Sequence, residues 1–135
     1  MQDDAQELLR LSRRLLEAID RQDWETYAEL CDPSLTCFEP EAGGHLVSGL
    51  DFHRFYFEKR SGGGGGGAFA RQSSMTSPSV RLMGDAAVVT YVRLVQVYSD
   101  GRYVSTAAEE TRVWERQDGT WRHVHFHRSK PGELE

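Results

Sequence analysis

Leu8, Leu11, Leu15 and Ile19 recur at spacings of three and four, and Leu9, Leu16 and Ala18 widen the same apolar stripe. That period predicts one amphipathic helix from Asp3 to Asp20, with Asp3 and Asp4 at the positive end of its dipole. Asp23 is placed to cap a second, short helix over Trp24–Leu30, which Asp32-Pro33 is expected to end. Ser34–Phe38 reads as a strand, Glu39–Gly44 as a turn, His45–Val47 as a short strand and Leu50–Lys59 as a third helix. Four longer strands are predicted after it: Gln72–Met83, Ala86–Tyr98, Tyr103–Arg116 and Thr120–Arg128. Gly84-Asp85, Asp100-Gly101 and Asp118-Gly119 punctuate them, and the two Asp-Gly pairs favour tight hairpins. Helices followed by an antiparallel meander predict an α+β fold, a curved sheet cradling the long N-terminal helix.

Alternation within the strands carries the chemistry. Side chains in an extended chain point to opposite faces in turn. Arg93 therefore shares a face with Tyr91 and Val95, Arg112 with Trp114, and Arg128 with Phe126 and Val124. Three guanidiniums on apolar faces predict a common cationic interior, which must hold acidic side chains, water or an anionic ligand, because unpaired buried charge is too costly. Glu39, Glu41, Glu109 and Glu110 are the nearest carboxylates in sequence terms, and Glu110 has the parity of Arg112. The strand Ala86–Tyr98 is apolar on both faces, with Val88, Val92 and Leu94 opposite Ala87, Val89 and Tyr91. A half-solvated strand would alternate with polar residues, so its outer face is expected to be covered, by another subunit or by a helix of this chain.

Composition narrows the options. The 135 residues make one domain, 1–135, with a flexible loop expected over the glycine tract at 61–68. A net charge of −5 argues against a nucleic-acid partner. No apolar run reaches membrane-spanning length, and the acidic N-terminus lacks the apolar segment of a signal peptide, so a cytoplasmic location without a membrane partner is expected. Cys31 and Cys37 read as reduced core thiols rather than as a disulfide or zinc set. His123, His125 and His127 alternate on one strand together with Trp121; without a nearby cysteine or carboxylate pattern to complete a ligand set, they are expected to pack rather than bind metal. Asp23, Asp32 and Asp51 fall at predicted helix ends, where capping accounts for them, so no catalytic apparatus, metal or cofactor is expected.

Three ordered blocks go further. C-D-P-S-L-T-C-F-E-P-E-A (Cys31–Ala42), G-L-D-F-H-R-F-Y-F-E (Gly49–Glu58) and E-E-T-R-V-W-E-R-Q-D-G-T-W-R-H-V-H-F-H-R-S (Glu109–Ser129) closely resemble the association, or hub, domain of calcium/calmodulin-dependent protein kinase II. The likeness runs from about Leu11 to Ser129. It implies a cone of the nuclear-transport-factor-2 type and a non-enzymatic scaffold, assembled from a dozen or more copies into two stacked rings of dimers that gather kinase domains. It also implies a pocket lined by Arg93, Arg112 and Arg128 with Tyr27 and His53, open to a small carboxylate or a kinase regulatory segment. The alternative reading is a small-carboxylate binder or isomerase-like enzyme using the same cavity.

Overall fold

Asp3 starts the first helix: its carboxylate accepts a hydrogen bond from the Ala5 backbone N–H, and α1 runs Asp4–Arg21. The computed structural model describes residues 3–62 and 70–133. Leu8, Leu11, Leu15, Leu16 and Ala18 are buried along one face of α1, on the stripe marked by the sequence. Asp23 caps α2 (Trp24–Leu30) by accepting from the Thr26 N–H. The chain continues through β1 (Cys31–Phe38), β2 (Val47–Ser48), α3 (Asp51–Gly62), β3 (Ala70–Met83), β4 (Ala86–Ser99), β5 (Arg102–Gln117), β6 (Thr120–Arg128) and β7 (Gly132–Glu133). The glycine-rich loop expected at 61–68 falls mainly outside the described residues. No described helix is long and apolar enough to cross a membrane.

β3 to β6 form the expected antiparallel meander in a sheet ordered β2-β1-β6-β5-β4-β3, with β7 paired to β5. Asp100 and Gly101 both take positive φ (54° and 73°), as do Asp118 and Gly119 (50° and 80°). That is the backbone of the two-residue turns these pairs favour. Two features depart from the sequence reading. β1 begins directly after α2, three residues early, and pairs with β6 in parallel. Asp32-Pro33 thus lies inside a strand rather than closing a helix. The pairing is interrupted between Cys31 and Thr36, where a proline, lacking an N–H, is tolerated.

The second departure is a β-bulge. Val113 pairs with His125, but Trp114 pairs with His123, leaving Val124 as an extra residue. The bulge reverses the facing of β6 at that point. Phe126 lies inward on one side of it; Trp121 and His123 lie inward on the other, all three in the buried set. The expectation that His123, His125 and His127 share one face with Trp121 is therefore corrected. His123 is fully buried with its ring 5.2 Å from Trp114, whereas His125 and His127 flank the exposed Phe38 at 6.0 and 5.9 Å.

The core lies between α1, α2 and the inner face of the sheet, through Ala87, Val89, Tyr91, Trp114 and Phe126. Val88, Val92, Leu94 and Val113 face the other way. They are half-buried and lie outside that core cluster. Val88 pairs with Val113, Val113 with His125, and Thr36 with His125. The outer face thus carries Val88 and Val113 on β4 and β5, continued across His125 on β6 to Thr36 and Phe38 on β1.

Candidate functional site

Arg93 on β4, Arg112 on β5, Arg128 at the end of β6, Tyr27 on α2 and His53 on α3 line one cavity of about 290 Å³. Strand alternation places the first two. Arg128 reaches the same space because it lies beyond the bulge, on the inward parity shared with Phe126. Trp24, Tyr27 and Phe57 pack as an aromatic wall, with Tyr27 tilted against Phe57 at 5.2 Å and Trp24 edge-on to Phe57 at 5.3 Å. His53 packs its ring against Tyr27 and Phe126 at 5.8 and 5.5 Å.

The interior is a balanced network, not a crowd of like charges. Arg112 donates through Nη2 to Glu110 Oε1 at 3.1 Å and through Nε to the Tyr91 hydroxyl at 2.7 Å. Tyr91 in turn donates to Glu110 Oε1 at 2.5 Å. Arg93 reaches Glu110 Oε2 at 3.4 Å, Asp20 Oδ1 at 3.2 Å and Ser73 Oγ at 3.0 Å. Arg71 joins the same Asp20 oxygen at 3.2 Å. Arg128 sits nearer the mouth, paired with Glu41 and 3.7 Å from Glu39. The guanidiniums of Arg71, Arg93, Arg112 and Arg128 thus meet the carboxylates of Asp20, Glu39, Glu41 and Glu110. Glu109, also weighed from sequence, is exposed instead.

Burial alone would push the Glu110 carboxyl up. Arg112, then Arg93 and the Tyr91 hydroxyl overcome it and hold the carboxyl below its ordinary range. Burial and then Arg112 depress His123 well below an ordinary histidine. Its protonation pattern follows from its neighbours. Arg112 Nη1 can only donate, so His123 Nε2, 3.3 Å away, accepts, leaving Nδ1–H for Cys31 Sγ at 3.4 Å. Burial pushes both Cys31 and Cys37 up to about 12, which keeps them as thiols.

Two groupings escaped the sequence. Asp20 lies 73 residues from Arg93. The available signal was its position in the last turn of α1, where an acid opposes the helix dipole and needs another reason to be present. Cys37, Glu39 and His53 place one ligand-type atom each within 4.8 Å of one another. Cys37 was read only as a core thiol, and its neighbour on α3 is fixed by tertiary packing.

The family model of the calcium/calmodulin dependent protein kinase II association domain matches residues 4–132. The chain belongs to that family. It is 48% identical over 127 residues to the rabbit (Oryctolagus cuniculus) calcium/calmodulin-dependent protein kinase type II subunit delta, covering 92% of this chain but only 23% of that protein. The solved hub homology domain from Chlamydomonas reinhardtii shares 52% identity and a TM-score of 0.87, covering 94% of this chain and 98% of its own. A nuclear-transport-factor-2-like protein from Cytophaga hutchinsonii, 19% identical with a TM-score of 0.75 over 95% and 98% of the two chains, has the same fold. The association domain here is therefore a nuclear-transport-factor-2-like α+β cone, as the three sequence blocks implied.

Proposed function

We propose that this association domain is a self-assembling scaffold, built of dimers in two stacked rings, that serves as the hub of a kinase holoenzyme or as a free-standing hub. The carrying observation is the outer band of Val88, Val92, Leu94 and Val113 running toward Phe38, which lies outside the chain's own core. Half-buried apolar bands left outside a chain's own core are candidates for protein interfaces, and a ring closes when one such patch meets a complementary one repeatedly. Val113→Asp places a charge in that band without touching the core. Analytical ultracentrifugation is expected to find wild type as a large particle and the variant as small species with an unchanged circular dichroism spectrum. A variant that sediments like wild type would remove the band from the interface.

A second role rests on the cavity, which stays open although its arginines are paired. A small carboxylate, or an acidic side chain from a kinase regulatory segment, would exchange with Glu41 at Arg128, because that pair is nearest the mouth, while Arg93, Arg112, Tyr27 and His53 shape the floor. Guanidinium forks suit carboxylate oxygens. Acid–base catalysis fits less well: the Glu110 carboxyl is held ionised, so it cannot act as a proton donor near neutral pH. A small dicarboxylate should raise the melting temperature of wild type and leave Arg128→Gln unmoved; equal responses would end this reading.

A further inference from the structure

We propose that Cys37, Glu39 and His53 form a zinc-type metal site in the wall of the cavity, with the fourth coordination position open to the cavity. The reading is independent of whether the cavity takes a carboxylate.

The three residues reach the site from different directions. Cys37 and Glu39 straddle the end of β1, and His53 comes from the first turn of α3. Cys37 is fully buried, and the His53 and Glu39 side chains are 9% and 6% exposed. Cys37 Sγ lies 3.5 Å from His53 Nε2, and Nε2 lies 3.8 Å from Glu39 Oε1. A tetrahedral ion about 2.3 Å from sulfur and about 2.0–2.1 Å from nitrogen holds those two atoms roughly 3.5 Å apart. The sulfur–nitrogen spacing is thus already that of a bound ion, and Glu39 Oε1, 3.8 Å from Nε2 and within 4.8 Å of sulfur, must move closer to both.

The donor set is the one a borderline-soft divalent ion prefers: thiolate, imidazole and carboxylate. In the tautomer protonated at Nδ1, Nε2 accepts the Cys37 thiol proton and carries the lone pair that a metal requires. His53 Nδ1, also buried, has no hydrogen-bond partner among the described residues, so the ring directs its only polar contacts at this cluster. Binding replaces the Cys37 S–H bond with a sulfur–metal bond, and the proton passes to solvent. The resulting thiolate and the Glu39 carboxylate together neutralise a divalent ion, so the buried triad passes from one negative charge to none. Arg128 keeps Glu41 when Glu39 turns to the metal. Glu39 and His53 line the cavity, and Cys37 is fully buried beside them.

Cobalt(II) is the direct probe, since it takes the geometry of zinc and reports sulfur ligation by absorption. The purified, chelator-treated chain is expected to bind one Co²⁺ per subunit at micromolar concentration, with near-ultraviolet sulfur-to-cobalt charge transfer and the visible bands of a tetrahedral ion. Added Zn²⁺ should displace it. Cys37→Ala should lose the charge-transfer absorption and Cys31→Ala should keep it. Glu39→Gln, which leaves the thiol in place, should weaken binding by more than about tenfold. Absence of stoichiometric uptake by wild type, uptake without sulfur character, or charge transfer that survives in Cys37→Ala would each overturn the site. The wild-type titration decides even if Cys37→Ala does not fold.

Discussion

Glu110 is where the energetics of this domain concentrate. It accepts from Arg112, Arg93 and Tyr91 while nearly removed from water. Breaking one side of a buried pair costs far more than an exposed pair ever returns, because a charge is left desolvated. Glu110→Gln is expected to lower unfolding stability by about 3–5 kcal/mol at neutral pH, measured by urea denaturation. Because the folded carboxyl is held below its ordinary value, its stabilising effect is present above about 4.5 and is lost as pH falls through the folded value. Glu110→Gln should therefore flatten the acid limb of the stability profile as well as lower it. His123 acts in a higher window. Its folded pKa is depressed, so its neutral form stabilises the fold fully above about 6.5 and progressively less as pH drops below that. The wild-type profile should fall relative to His123→Asn with a slope approaching about 1.4 kcal/mol per pH unit; parallel profiles would show that neither burial nor Arg112 opposes that imidazolium. At this scale, alternation exposed Arg93, Arg112 and the parity of Glu110 directly. Asp20 and the Cys37–Glu39–His53 group stayed hidden, because each depends on contacts between distant segments that no local period encodes.

Elements were legible where a single rule governs them. The leucine stripe defined α1, Asp23 the start of α2, and the two Asp-Gly turns the meander from β4 to β6. Where two signals competed, tertiary pairing won. Pro33 reads locally as a terminator, yet β1 runs through it because the strand's pairing with β6 skips that stretch. The Val124 bulge has no local signature: H-x-H-x-H suggests unbroken alternation, and only the partner strand shows that one residue is extra. The bulge has a measurable consequence. Deleting Val124 removes the extra residue and restores regular alternation with Trp121, His123, Phe126 and Arg128 all still inward. The deletion is expected to keep a cooperative thermal transition and the near-ultraviolet tryptophan dichroism. Loss of both would contradict the assignment of Val124 as the unpaired residue.

For the whole molecule, the division of faces sets the functional account. The inner face of the sheet is satisfied by α1, α2 and the arginine–carboxylate network, whereas the outer face carries Val88, Val92, Leu94 and Val113 with no place in the chain's own core. Two-sided apolarity of β4 was already readable in the sequence, and the structure adds that its core-packing helices lie on the inner side. In the proposed assembly, other copies satisfy the outer band. Native mass spectrometry of the purified chain at micromolar concentration tests this most directly. The account predicts particles of a dozen or more 15.3 kDa subunits, in even numbers as stacked rings of dimers require. A well-folded lone subunit under those conditions would contradict it.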